Sequence, residues 1–91
     1  MKRYLVETYL ARGATAERVA QEQRARSAAN ELASEAKGVR FDRAIHVPED
    51  EICFFVFDAP SSLEAVLLAE RAGLDHVRVV EAISSGEEYR S

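Results

Sequence analysis

The chain is 91 residues long, 47% apolar and 31% charged, with a formal net charge of −4. That length bounds it to one small domain with a modest core, and the balance of residues is that of a globule, with no sign of disorder. The acidic surplus excludes the basic footprint of a nucleic-acid binder, and a single cysteine excludes an internal disulfide. The opening segment meets Glu7 too soon for a signal-peptide core, and no apolar run approaches membrane-spanning length, so a cytoplasmic location is expected.

Taken in order, residues 4–9 (YLVETY) are rich in β-formers and predict a first strand. Gly13 breaks it, and Thr15 is placed to cap a helix over 16–36 whose first turn carries Glu17. Ala25, Ala28, Ala29, Leu32, Ala33 and Ala36 recur at helical spacing, an alanine-rich stripe that can lie close to whatever it covers. Arg18, Arg24 and Arg26 are interleaved with Glu17, Glu22 and Glu31 and read as a solvated face. Lys37-Gly38 is a helix stop. A second strand follows over 39–47, then the turn Pro48-Glu49-Asp50, then a third strand over 52–57 (ICFFVF). Ser61 with Glu64 makes a capping box behind Pro60, opening a second helix that runs to Ala72 and stops at Gly73-Leu74. Residues 77–83 are the last strand. The domain spans 1–84, and 85–91 form a polar tail.

The order β-α-β-β-α-β predicts an α+β, ferredoxin-like fold. Its four-stranded antiparallel sheet has spatial order 4-1-3-2, with both helices on one face. The third strand then poses a problem. It is apolar at every position, so whichever of Ile52, Phe54, Val56 or Cys53, Phe55, Phe57 points away from the helices meets water. A sheet of such residues makes a patch of roughly several hundred Å², the size that marks an interface. A second copy packed face to face would bury it and close a dimeric α/β barrel. A tail folded over the sheet is the alternative, and 85–91 is too polar to cover it well.

Few residues offer chemistry. Glu7 and Glu81 fall on strands that this topology makes neighbours, either as a carboxylate pair able to hold a cation or as members of ion pairs with Arg40, Arg43 or Arg78. His46 and Cys53 flank a turn carrying Glu49, Asp50 and Glu51. Imidazole, thiolate and carboxylate together suit a borderline divalent ion such as Ni²⁺, Zn²⁺ or Cu²⁺. The spacing matches no established ligand motif, and Cys53 reads equally as a small core residue. His76 reads as a loop histidine. There is no glycine-rich phosphate loop and no glycine-flanked nucleophilic serine.

Several stretches resemble a family of small bacterial domains of unknown function whose type is an actinobacterial nickel-binding protein. They are Tyr4-Leu5-Val6-Glu7, the Val47–Phe54 turn with its acidic residues and Cys53, Phe57-Asp58-Ala59-Pro60-Ser61, Ala69-Glu70-Arg71-Ala72-Gly73-Leu74 and Val79-Val80-Glu81-Ala82. The resemblance spans nearly the whole chain. It implies a ferredoxin-like homodimer and Ni²⁺ bound near the sheet. Relatives often carry a second Cys where Phe55 stands, and some carry His where Arg43 and Leu68 stand. Only Glu7, Cys53 and the acidic turn carry over, with His46 as a local replacement. The expected metal ligands are thus Glu7, His46, Glu51 and Cys53. Two other readings stay open. One is a dimeric-barrel enzyme or ligand-binding protein with Glu7 or His46 as base and Phe54, Phe55 and Phe57 as walls. The other is a structural or regulatory dimer in which Glu7, Glu81 and Arg43 are paired with one another.

Overall fold

Among the described residues, four strands and two helices follow one another in the expected order. They are β1 (Lys2–Tyr9), α1 (Thr15–Ser34), β2 (Arg40–Val47), β3 (Ile52–Ala59), α2 (Ser62–Arg71) and β4 (His76–Ala82), with a 3-10 turn, Pro48–Asp50, between β2 and β3. The structure is a computed structural model that describes residues 1–35, 38–83 and 85. Ala36 and Lys37, expected at the end of α1, Ser84, expected to end the domain, and the tail over 85–91, apart from Ser85, lie outside the described residues. The strands form one antiparallel sheet in the order β2-β3-β1-β4, compatible with a ferredoxin-like fold.

The register explains why β3 is apolar throughout. It is a central strand, paired with β1 on one side and β2 on the other. Cys53, Phe55 and Phe57 are fully buried, and their register partners Thr8, Val6 and Tyr4 on β1 are buried with them, so this is the face the helices cover. Ile52, Phe54 and Val56 point the other way, since successive residues of a strand alternate. On the helix side, Phe41 of β2 packs its ring 5.3 Å from that of Phe57, and the Arg26 guanidinium of α1 lies 5.0 Å above the Phe41 ring. The alanines of α1 (Ala25, Ala28, Ala29) are buried with Leu32, which lets the helix sit close to the sheet and against α2.

Strict alternation fails in β2. The register shifts between Phe41 and Arg43, so Phe41 and Ala44 both face β3 residues of the core side, while Arg43, Ile45 and Val47 face Val56, Phe54 and Ile52. Such a bulge adds one residue to one strand and re-aims the side chains beyond it. Here it lets an inward phenylalanine and outward Arg43 and Ile45 share one strand. No helix among the described residues is long and apolar enough to cross a membrane.

The helix ends depart from the expected caps. Thr15 is the first residue of α1 rather than its cap. The cap position is Ala14, which has no side chain to offer. Ser61 does occupy the cap position of α2, but its hydroxyl donates to the Glu64 carboxylate instead of accepting a backbone N–H. The stop of α2 follows the expected pattern: Leu74 N–H donates to the Ala69 carbonyl at 2.9 Å and Gly73 N–H to that of Glu70 at 3.1 Å, with Gly73 at φ +68°. A Cβ at Gly73 meets Arg24 Nε only at ordinary contact, 3.8 Å, so the left-handed backbone alone sets the cost of a side chain there. Gly73→Ala is therefore expected to destabilise by about 1 kcal/mol. Urea unfolding should show a lower midpoint with an unchanged slope. An unmoved midpoint would contradict this account of the stop.

Candidate functional site

The face of the sheet turned away from the helices is where unassigned chemistry and uncovered apolar surface coincide. Its middle is apolar: Leu5 of β1 is in register with Val56 and Val80, and Phe54 of β3 is in register with Ile45. Val56 is 3% exposed, flanked by Leu5 and Arg43, so one of the three β3 residues expected to meet water is already sheltered. Phe54 and Leu5 are half-buried, and Ile45 is 46% exposed. Among the described residues no helix lies over them.

One end of this face is an ion network. Arg3 reaches Asp58 at 3.2 Å and Asp42 at 3.3 Å, while Arg40 closes on Asp58 at 2.6 Å and Arg43 on Asp42 at 3.2 Å. The guanidiniums of Arg3, Arg40 and Arg43 meet the carboxylates of Asp42 and Asp58 here. Burial would raise the Asp58 carboxyl, but hydrogen bonds and charge from Arg3 and Arg40 outweigh it and hold the group below its ordinary 3.8. Asp58 therefore contributes stability that is present above the ordinary carboxylate range and is lost as pH falls through its lowered value. The chain pattern held a signal for this network. Asp58 continues the even-numbered set Ile52, Phe54, Val56, and Arg3 the odd-numbered set Leu5, Glu7.

The four expected metal ligands are not gathered. Glu7 lies on the open face and is paired with its register partner Arg78 at 2.8 Å. Cys53 lies on the helix face and is wholly buried. His46 is its register partner on β2, and its Nε2 stands 3.4 Å from the Leu10 carbonyl. Glu51 holds the β1–α1 connection instead: its carboxylate accepts from Arg12 N–H at 3.0 Å and its carbonyl from Leu10 N–H at 2.9 Å, from a left-handed backbone at φ 53°. Among the described residues no group of three His, Cys, Asp or Glu side chains could hold a metal ion. Glu7 and Glu81 are likewise separate. Glu81 is in register with Tyr4 of the helix face and lies 3.9 Å from Lys2, so each glutamate has its own cation. The walls of the imagined ligand pocket also part company, since Phe55 and Phe57 are core and Phe54 faces outward.

Burial pushes the Cys53 thiol from an ordinary 9.0 up to about 11, with Arg18 lowering it and Glu22 raising it by smaller amounts. A thiol so raised stays neutral in the folded chain, and the associated stability is complete below pH 9 and lost as pH rises towards 11. Native protein at pH 8 is expected to leave a thiol-reactive chromophore almost unreacted, and to react with one equivalent once unfolded in urea. Rapid labelling of the native chain would contradict this burial.

No protein-family model matches the chain, and no curated protein matches it. Among solved structures, a crystal structure of SCO4226 from Streptomyces coelicolor A3(2) is similar, with a TM-score of 0.66 and 19% sequence identity, covering 91% of this chain and 98% of that one. At this identity the likeness shows a shared fold over nearly the full length of both chains.

Proposed function

We propose that this chain is a homodimerising subunit whose open sheet face is its binding surface, with a second copy as the occupant. The observation that carries the reading is the pairing of Leu5, Ile45, Phe54 and Val80 on a face that no helix among the described residues covers. Four strands about 4.8 Å apart and eight residues long present a face of about 19 by 26 Å, on the order of 500 Å². Two such faces bury on the order of 1,000 Å², the lower bound for a specific interface. Closing them together at about 10 Å makes the barrel that the strand order suggests. The cytoplasm is the compartment this reading assigns, in keeping with one buried, unpaired cysteine.

Ile45→Asp places a charge at an exposed aliphatic point of the face and leaves the helix-side core untouched. It is expected to weaken self-association by about 100-fold while far-UV circular dichroism and cooperative melting are kept. Size-exclusion chromatography of both proteins at matched concentrations reads the difference. Equal elution of variant and wild type as dimers would refute the assignment of this face.

The nickel reading has less support, because its four donors are divided between two faces of the sheet and a loop clamp. Calorimetric titration of Ni²⁺ into chelator-treated protein is expected to give no saturable heat at micromolar concentrations. A stoichiometric isotherm that disappears in His46→Ala would reinstate that reading.

A further inference from the structure

The open face carries a second ordering besides its apolar middle, and it lies along β2. Arg40 and Arg43 stand at the start of that strand, and both are mostly exposed, at 68% and 67%. At its far end the 3-10 turn presents Glu49 and Asp50, both exposed and neither in an ion pair among the described residues. Glu51 follows, and Arg12 is the nearby cation, joined to it through its backbone N–H. One end of the strand therefore presents exposed guanidiniums, held beside Asp58 and Asp42, and the other presents exposed carboxylates.

Distance makes the two ends independent. Arg43 and Glu49, the nearest members of the two ends, are six residues apart, about 20 Å at about 3.3 Å each, more than two Debye lengths at physiological salt, where one is about 8 Å. Neither end neutralises the other within one chain. Ile45 stands midway, five residues from Arg40 and five from Asp50, and it is 46% exposed.

From this arrangement we infer that the second copy, whose presence rests on the function proposed above, docks with its β2 running antiparallel to the first about a two-fold axis near Ile45. In that orientation Arg40 and Arg43 of each copy meet Glu49 and Asp50 of the other. The contact forms twice by symmetry, and the two isoleucines meet at the axis. The opposite orientation sets arginines against arginines and acidic turns against acidic turns, which costs affinity. The charges thus fix the direction of docking, and the apolar middle supplies adhesion.

Charge reversal separates these alternatives. Glu49→Lys with Asp50→Lys alters only exposed turn residues and should raise the dimer dissociation constant by about tenfold. Adding Arg40→Glu and Arg43→Glu to the same chain restores the net charge and the complementarity, and should return the constant to within about threefold of wild type. Sedimentation equilibrium measures all three proteins. A turn variant as tight as wild type, or a quadruple variant no tighter than the turn variant, would overturn the orientation while leaving self-association standing. A monomeric wild type would overturn the underlying reading instead. Because Arg40→Glu sits beside Asp58 and can unfold the chain, cross-linking supplies a second measurement. A mixture of Arg43→Cys and Glu49→Cys chains treated with a short bismaleimide should form mixed covalent dimers. Self-linking of Arg43→Cys alone, with no mixed product, would contradict the antiparallel arrangement.

Discussion

The constraint on which this structure turns is that β3 is apolar on both of its sides. Its inward residues Cys53, Phe55 and Phe57 are sealed by the helices and by Phe41, at 0% exposure for all three. Burying side chains of this size is worth about 1.5–3 kcal/mol each, a large share of the stability of so small a domain. Among the described residues, both helices lie on the other side of the sheet from the outward residues Ile52, Phe54 and Val56, which are sheltered by their strand neighbours. The sequence thus invests in a face that its own fold leaves open, and this imbalance is what points to association.

Electrostatics on that face follow a different logic from the core. Surface ion pairs are each worth about 0–1 kcal/mol, so the pairs of Arg40 and Arg43 are weak contributors to folding. Arg3, Asp42 and Asp58 are different, because their side chains are only 22%, 19% and 13% exposed. Sheltered together, they must stay paired: removing one would strand the others in a poorly solvated place. The network therefore fixes one end of the open face rigidly, which suits a surface that must match a partner. Glu51 gives comparable rigidity at the opposite end of β3, where it ties the β1–α1 connection by both carbonyl and carboxylate.

Much of the fold was legible in the residues, and the reason is punctuation. Gly73, Pro60 and the Pro48-Glu49-Asp50 turn mark boundaries that the structure places within one or two residues. The chain order of strands and helices then leaves few right-handed topologies to choose from. The candidate site was less legible because it depends on register, which no single strand reveals. Within β3 the two alternating sets could be read off, yet only pairing with Tyr4, Val6 and Thr8 shows which one faces the helices. The bulge between Phe41 and Arg43 is harder still, since strict alternation would put Phe41 and Ile45 on one face. That single added residue also sends His46 to the side of Cys53 and away from Glu7, so the expected donors fall on two faces of the sheet. The Ser61 hydroxyl is a smaller case of the same kind: its position was readable, and its choice of the Glu64 carboxylate over a backbone N–H was not.

The central claim is that the outward face of the sheet is covered by a second copy of the chain. Multi-angle light scattering of the unmodified protein across roughly 1–100 µM, the range spanned by typical micromolar association, addresses it most directly. A particle of about twice the chain mass of 10.1 kDa is the expected result. A mass that stays at that of one chain up to the highest concentration would contradict it.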